Sequence, residues 1–192
     1  MLEELDSLNV PRYYAVAALY HIGNEEIGRR RLAGEIGLTE SKTRTMLDHM
    51  RDAGYITARE TLTLTEEGAT IYDELEDRIK QIAPVDLTYL GVDDTSLAAL
   101  VSDTEVEDEV MLRDEAVRAG ATGMTVLHYD GGFHLPSDPG EAAPKEGQDD
   151  LDHLDETFSG AAPDDIVLVV SAGEIEAATA GLWRTVLSIL ES

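Results

Sequence analysis

The chain has 192 residues, 43% of them apolar, and 14 basic against 40 acidic side chains give it a formal charge of −26. That length holds one domain or two small ones, each with a real core, and the apolar content excludes an acidic disordered chain. Cysteine is absent, which excludes disulfides and thiolate chemistry. With no signal peptide and no run of about 20 apolar residues to cross a membrane, the sequence predicts a soluble, cytoplasmic protein.

Residues 1–9 form an acidic lead. Pro11 stands where a first helical turn tolerates a missing N–H, and 12–22 predicts an apolar-rich helix carrying Tyr13, Val16, Ala17, Leu19 and Tyr20, ended by Gly23 and Asn24. A second helix is expected over 27–36, with Ile27, Leu32 and Ile36 inward and Arg29, Arg30 and Arg31 near its start. Gly37 breaks it. The third helix, within 38–54, has Thr39 as its N-cap and Gly54 as its left-handed exit. Thr43, Leu47 and Met50 form its apolar stripe, while Ser41, Lys42, Arg44, Thr45 and His49 occupy the other side. Two helices joined by a Gly-containing turn, the second with a small-polar leading edge, make a helix-turn-helix pattern. Hydroxyls beside Lys and Arg suit a helix that reads a major groove.

Two β-prone runs, 55–59 and 61–65, predict a hairpin placed as a wing, with Arg59 near phosphate. Thr65 caps a further helix expected to run to about Ile82, where Ile71, Leu75, Ile79 and Ile82 form a stripe for dimer contact or intramolecular packing. Ala83 and Pro84 end it and bound a first domain of 1–83.

Charge divides the chain in the same place. Residues 1–83 hold ten basic and 16 acidic side chains, whereas 84–192 hold four and 24. Within 27–59 the sign reverses, seven basic against four acidic. A basic island in so acidic a chain is what phosphate binding requires.

The segments Leu32-Ala33-Gly34-Glu35-Ile36-Gly37-Leu38-Thr39, Ala53-Gly54-Tyr55-Ile56 and Leu64-Thr65-Glu66-Glu67-Gly68, in that order, resemble the winged helix-turn-helix of archaeal and bacterial transcriptional regulators. The resemblance implies binding of double-stranded DNA through Ser41, Lys42, Arg44 and Thr45, with phosphate contacts from Arg29, Arg30, Arg31 and the wing. Glu40 and Asp48 depart from it by placing acids on or beside the reading helix. The acidic balance, with abundant Ala, Gly, Thr and Val, looks like that of proteins from salt-loving archaea, so the charge is read as adaptation to salt: at about 1 M the Debye length falls to about 3 Å and self-repulsion is screened.

The second half, 84–192, predicts strands at 85–90 and 97–101, a helix over 105–119, a hairpin from 123–128 and 133–135, a short acidic helix over 149–158, a buried strand at 166–170 and a long helix over 174–190. From Leu97 the order is β-α-β-β-α-β with a trailing helix, a small α/β sandwich. The fold class is therefore α+β. Residues 136–150, rich in Pro, Gly and acids, read as a mobile surface loop. This half resembles an uncharacterised domain found after winged helices in archaeal regulators, which implies effector sensing or oligomerisation without naming a ligand. The stripe of the last helix serves as sheet-covering core or as a dimer contact.

Chemistry here is sparse. His128, Asp130 and His134 are weak metal candidates, but no further His or Cys completes a ligand set, so neither metal nor cofactor is predicted. Arg113 and Arg184 are the candidates for holding an anionic effector, although Glu109 and Asp114 are spaced to pair with Arg113 and Arg118. No nucleophile-base arrangement stands out. The sequence thus predicts a DNA-binding regulator, homodimeric, and not an enzyme. The alternatives are a winged helix fused to a small metabolic enzyme domain, or one used for protein contacts in the transcription machinery.

Overall fold

The computed structural model describes residues 5, 8, 10–58, 61–102, 106, 108–135 and 145–191. The chain forms two compact units, 1–77 and 78–192.

The first unit contains α1 (Arg12–Asn24), α2 (Arg29–Glu35), α3 (Glu40–Asp52), β1 (Ile56–Ala58), β2 (Leu62–Leu64) and α4 (Glu66–Arg78). Most of α1 from Ala15 to Ile22 is buried, so it is the central helix of this unit. Local chemistry sets the breaks. Gly37 and Gly54 lie at φ 66° and 89°, and each closes its helix with a paired bond set: Leu38 N–H donates to the Ala33 carbonyl and Gly37 N–H to that of Gly34, as Tyr55 N–H does to Met50 and Gly54 N–H to Arg51. These satisfy carbonyls that a helix end otherwise leaves open. Thr65 joins the wing to α4, its hydroxyl donating to the Gly54 carbonyl at 2.5 Å and accepting from Gly68 N–H at 3.2 Å. Ile71 and Leu75 of α4 are buried, so the first half of that stripe packs within the chain.

The second unit contains β3 (Ile79–Val85), β4 (Thr95–Val101), α5 (Glu109–Arg118), β5 (Gly123–Tyr129), β6 (Phe133–His134), α6 (Lys145–Thr157), β7 (Ile166–Ala172) and α7 (Ile175–Leu190). Its strands form one antiparallel sheet in the order β3-β4-β7-β5-β6. The last strand, β7, inserts between β4 and β5, which makes β4-α5-β5 a split β-α-β unit. All seven residues of β7 are buried, as expected of a central strand covered on both faces. Leu100, Leu127, Val167 and Val169 pack with Leu151, Leu154 and Phe158 on the α6 side. On the other face α7 lies against β4 and β7, and α5 against β5. Gly181 allows that approach, because a Cβ there would stand 3.0 Å from Val170 Cγ1. The central part of the α7 stripe is accordingly core, with Ala178, Leu182, Val186 and Ile189 buried, while Ile175 at its start is exposed and Leu190 is half-buried.

Several boundaries differ from the sequence expectation. The helix expected to reach Ile82 stops at Arg78, and Ile79 and Ile82 lie on β3, paired with Val101 and Ala99. Their helical spacing is overridden by a strand partner in the following segment, and Pro84 fits because β3 is a sheet edge. The strand expected at 85–90 is absent beyond Val85. Leu87 and Leu90 are nevertheless buried, because the Asp150 carboxylate accepts from the backbone N–H groups of Thr88, Tyr89 and Leu90 at 2.9, 2.8 and 2.7 Å. The expected loop of 136–150 is shortened: α6 begins at Lys145 and already contributes that buried Asp150, while 136–144 lie outside the described residues. The compact units divide between Asp77 and Arg78, ahead of the expected boundary at 83.

Candidate nucleic-acid interface

The α3 helix has two unlike sides. Thr43, Met46, Leu47 and Met50 are buried, whereas Ser41, Lys42, Arg44 and Thr45 are exposed. Thr39 caps it, accepting from Lys42 N–H at 3.4 Å, which holds the first turn that carries Ser41 and Lys42. The Thr43 hydroxyl is buried but donates to the Thr39 carbonyl, so a polar group in the core is satisfied. Thr45 donates likewise to the Ser41 carbonyl at 3.2 Å, leaving its oxygen lone pair outward as an acceptor.

The ion pairs explain how acids are tolerated on this face. Glu40 pairs with Arg30 at 3.3 Å, and Asp48 with Arg51 at 2.8 Å. Arg51 also holds Asp52 at 3.1 Å. Arg31 is committed to Glu25 at 2.8 Å and Glu35 at 3.6 Å. Among the described residues Arg29, Lys42 and Arg44 make no ion pair. These three are the cations open to phosphate or base edges, while Arg30 and Arg31 first have to leave exposed pairs worth about 0–1 kcal/mol each.

His49 is placed differently from the expectation. Its Nδ1–H donates to the Leu8 carbonyl at 2.6 Å, so the ring ties α3 to the segment before α1 and is removed from the reading face. The spacing of seven from Lys42 put it on the right side of the helix, but Leu8 lies against it there. The wing is a regular two-stranded hairpin in which Thr57 and Thr63 pair, hydroxyl to hydroxyl, at 2.5 Å. Arg59, the wing residue expected near phosphate, lies outside the described residues. The pairing of Arg51 with Asp48 is an addition to the expected set, although their i, i+3 spacing makes it legible in the sequence.

In the second unit, Arg184 does not stand free for an anion. Its guanidinium donates to Glu115 of α5, with both Nε and a terminal nitrogen 2.5 Å from Oε2, and Arg118 contacts the same carboxylate. Burial raises the Glu115 pKa, but the two arginines outweigh it and hold the group below its ordinary 4.5. The pair joins α7 to α5 across 69 positions of sequence, which no helical spacing reveals. Arg113 is exposed and makes no ion pair among the described residues. Its expected partner Glu109 instead faces His128 Nε2 at 3.7 Å.

His128 and His134 lie directly opposite on β5 and β6, with ring centroids 6.3 Å apart, but they and Asp130 do not converge as a ligand set. Among the described residues no group of three such side chains could hold a metal. They line a cleft of about 500 Å³ with Tyr129, Pro163, Asp164 and Asp165. Pro163, Asp164 and Asp165 belong to a turn in which Asp165 N–H donates to the Ala162 carbonyl and Asp164 lies at φ 74°. The buried Asp165 is anchored by Lys80 at 2.7 Å and by Ala162 N–H.

Helices, hairpin and exposed face together define the first unit as a winged helix-turn-helix, and residues 11–79 match the family described as the CggR N-terminal DNA binding domain. The second unit places the whole chain. Residues 92–189 match the family described as Domain of unknown function (DUF4443), over just more than half the chain, and the protein belongs to that family. The solved structure of a hypothetical protein, PH0730 from Pyrococcus horikoshii OT3, is similar across 95% of this chain and 94% of its own, with a TM-score of 0.77 at 19% identity. That likeness is one of fold. Comparison with curated proteins finds no match. No helix among the described residues is long and apolar enough to cross a membrane.

Proposed function

We propose that this protein is a sequence-specific transcriptional regulator that binds double-stranded DNA through α3 and acts as a homodimer in the cytoplasm, without catalysis of its own. The observation that carries the reading is the exposed strip Ser41, Lys42, Arg44 and Thr45 on a capped helix whose opposite side is core. It sits in a unit that matches a DNA-binding family. Arg29 adds a phosphate contact at the start of α2, and the wing adds a second approach to the backbone. Ser and Thr can bond phosphate or base edges, and Arg44 has the fork geometry that guanine O6 and N7 accept.

The second unit serves effector sensing or assembly. The cleft around His128, Asp130, His134 and Asp164 is the place for a small effector, and its carboxylates favour a cationic or hydroxylated molecule over an anion. The high acidic charge is adaptation to concentrated salt, where the small basic face is the part of the chain able to meet DNA.

The deciding experiment compares the wild type with the Lys42→Ala, Arg44→Ala double variant on DNA fragments of the native host, over a range of salt. Binding should weaken sharply, and the slope of log K against log salt should fall by about 0.9 for each phosphate that is no longer neutralised. Unaltered occupancy by a folded variant would defeat DNA reading by α3 and favour a protein-contact role.

A further inference from the structure

The two helices whose stripes suggested dimer contacts are largely spent on intramolecular packing: Ile71 and Leu75 of α4 are buried, and so are Ala178, Leu182, Val186 and Ile189 of α7. The outer face of α5 is not. Val110, Met111 and Val117 are 61%, 46% and 46% exposed. Two more exposed apolar residues lie at its C-terminal end: Ile175 begins α7, whose Ala177 lies 3.6 Å from where a Gly120 Cβ would be, and Val92 packs over Gly123. Large apolar side chains left exposed together on one side of a helix point to an interaction site more than scattered single residues do.

We propose that α5 is the docking surface for a second copy of this chain, the two helices running antiparallel about a two-fold axis that passes between Arg113 and Asp114. The argument is the internal symmetry of the face. A two-fold interface must be self-complementary, each residue meeting its counterpart's partner. With the axis between 113 and 114, Val110 meets Val117 of the second copy and Arg113 meets its Asp114, and every contact occurs twice. Val110 and Val117 lie seven apart, with Arg113 and Asp114 between them on the same outward side. A foreign partner would impose no such pattern.

Charge points the same way. The unit 78–192 holds six basic and 24 acidic side chains, so two copies repel nearly everywhere. The stretch 110–118, with Arg113 and Arg118 against Asp114 and Glu115, is neutral. Arg113 has no ion-pair partner among the described residues, and the exposed Asp114 of a second copy supplies one. Arg118 is engaged by Glu115 of its own helix, which keeps it from disturbing the register.

This interface rests on the homodimer reading above and makes it specific. The test is sedimentation of the full chain at about 1 M salt, where the Debye length is about 3 Å and contact pairs survive while long-range repulsion is screened. The wild type should be dimeric. Val110→Asp, Arg113→Asp and Asp114→Arg should each weaken association by about tenfold or more, because each change occurs twice in the interface. The Arg113→Asp, Asp114→Arg double variant should recover it. A monomeric wild type, dimers indifferent to these changes, or a double variant that fails to recover would overturn the proposal. Binding of a single half-site DNA, read on the same samples, separates the two claims. If dimers are absent but the half-site is bound, this interface fails and the DNA-binding reading stands; if dimers form but the half-site is ignored, the reverse holds.

Discussion

Arg184 of α7 donates to the Glu115 carboxylate of α5 through two nitrogens, and Arg118 contacts the same group. One acid thus fixes the two helices that cover one face of the sheet. Because the arginines hold the Glu115 pKa below 4.5, the contribution is complete above that pH and is lost as pH falls through the lowered folded-state value. Arg184→Ala should cost about 1 kcal/mol, since both partners keep some solvent access. Glu115→Gln should remove part of the acid-induced loss of stability below pH 4.5, measured by thermal melts of the two chains across pH. A wild-type and variant difference that stayed constant down to about pH 3 would refute the assignment.

Asp150 presents a second structural carboxylate. It is 4% exposed and accepts from three backbone N–H groups at 88–90. Asp150→Ala leaves those donors buried and unpaired, at about 1–3 kcal/mol for such a group, so a total loss of about 3 kcal/mol is expected in chemical denaturation. Asp150→Asn should restore only part, because an amide offers one acceptor oxygen where the carboxylate uses two.

Gly68 sets the seam between the wing and α4. A Cβ there would lie 2.0 Å from the Tyr55 carbonyl oxygen, a backbone atom that cannot swing aside. Gly68→Ala should therefore displace the strand that begins at Ile56, with a loss of about 2 kcal/mol or more and weaker DNA binding. Gly34, where a Cβ meets nothing within 4 Å, provides the control: Gly34→Ala should be neutral or slightly stabilising.

His49 separates structure from reading. If its Nδ1–H serves the Leu8 carbonyl, His49→Ala should lower stability by about 1 kcal/mol while leaving the preferred DNA sequence unchanged in a binding-site selection. A shifted sequence preference would return His49 to the reading face.

The sequence by itself determined the first unit closely. Its signals are local: Thr39 and Thr65 cap where their hydroxyls reach the next turn, Gly37 and Gly54 exit where only φ above zero fits, and the stripe of Thr43, Leu47 and Met50 marks which side of α3 is core. Such features are encoded within a few residues, so reading the chain recovers them. The α-β order of the second unit was legible for the same reason. What only the tertiary structure decided is the matter of partners distant in sequence. Ile79 and Ile82 carry a helical spacing but become a strand because β4 offers them a backbone ladder. Arg184 looks like a free cation until α7 folds beside Glu115, and His49 looks like a reader until Leu8 takes its ring nitrogen. A spacing rule reports which residues share a face of one element. Which neighbour covers that face is set by long-range packing, and that is why the exposed strip of α3 and the uncovered face of α5 became visible only in the folded chain.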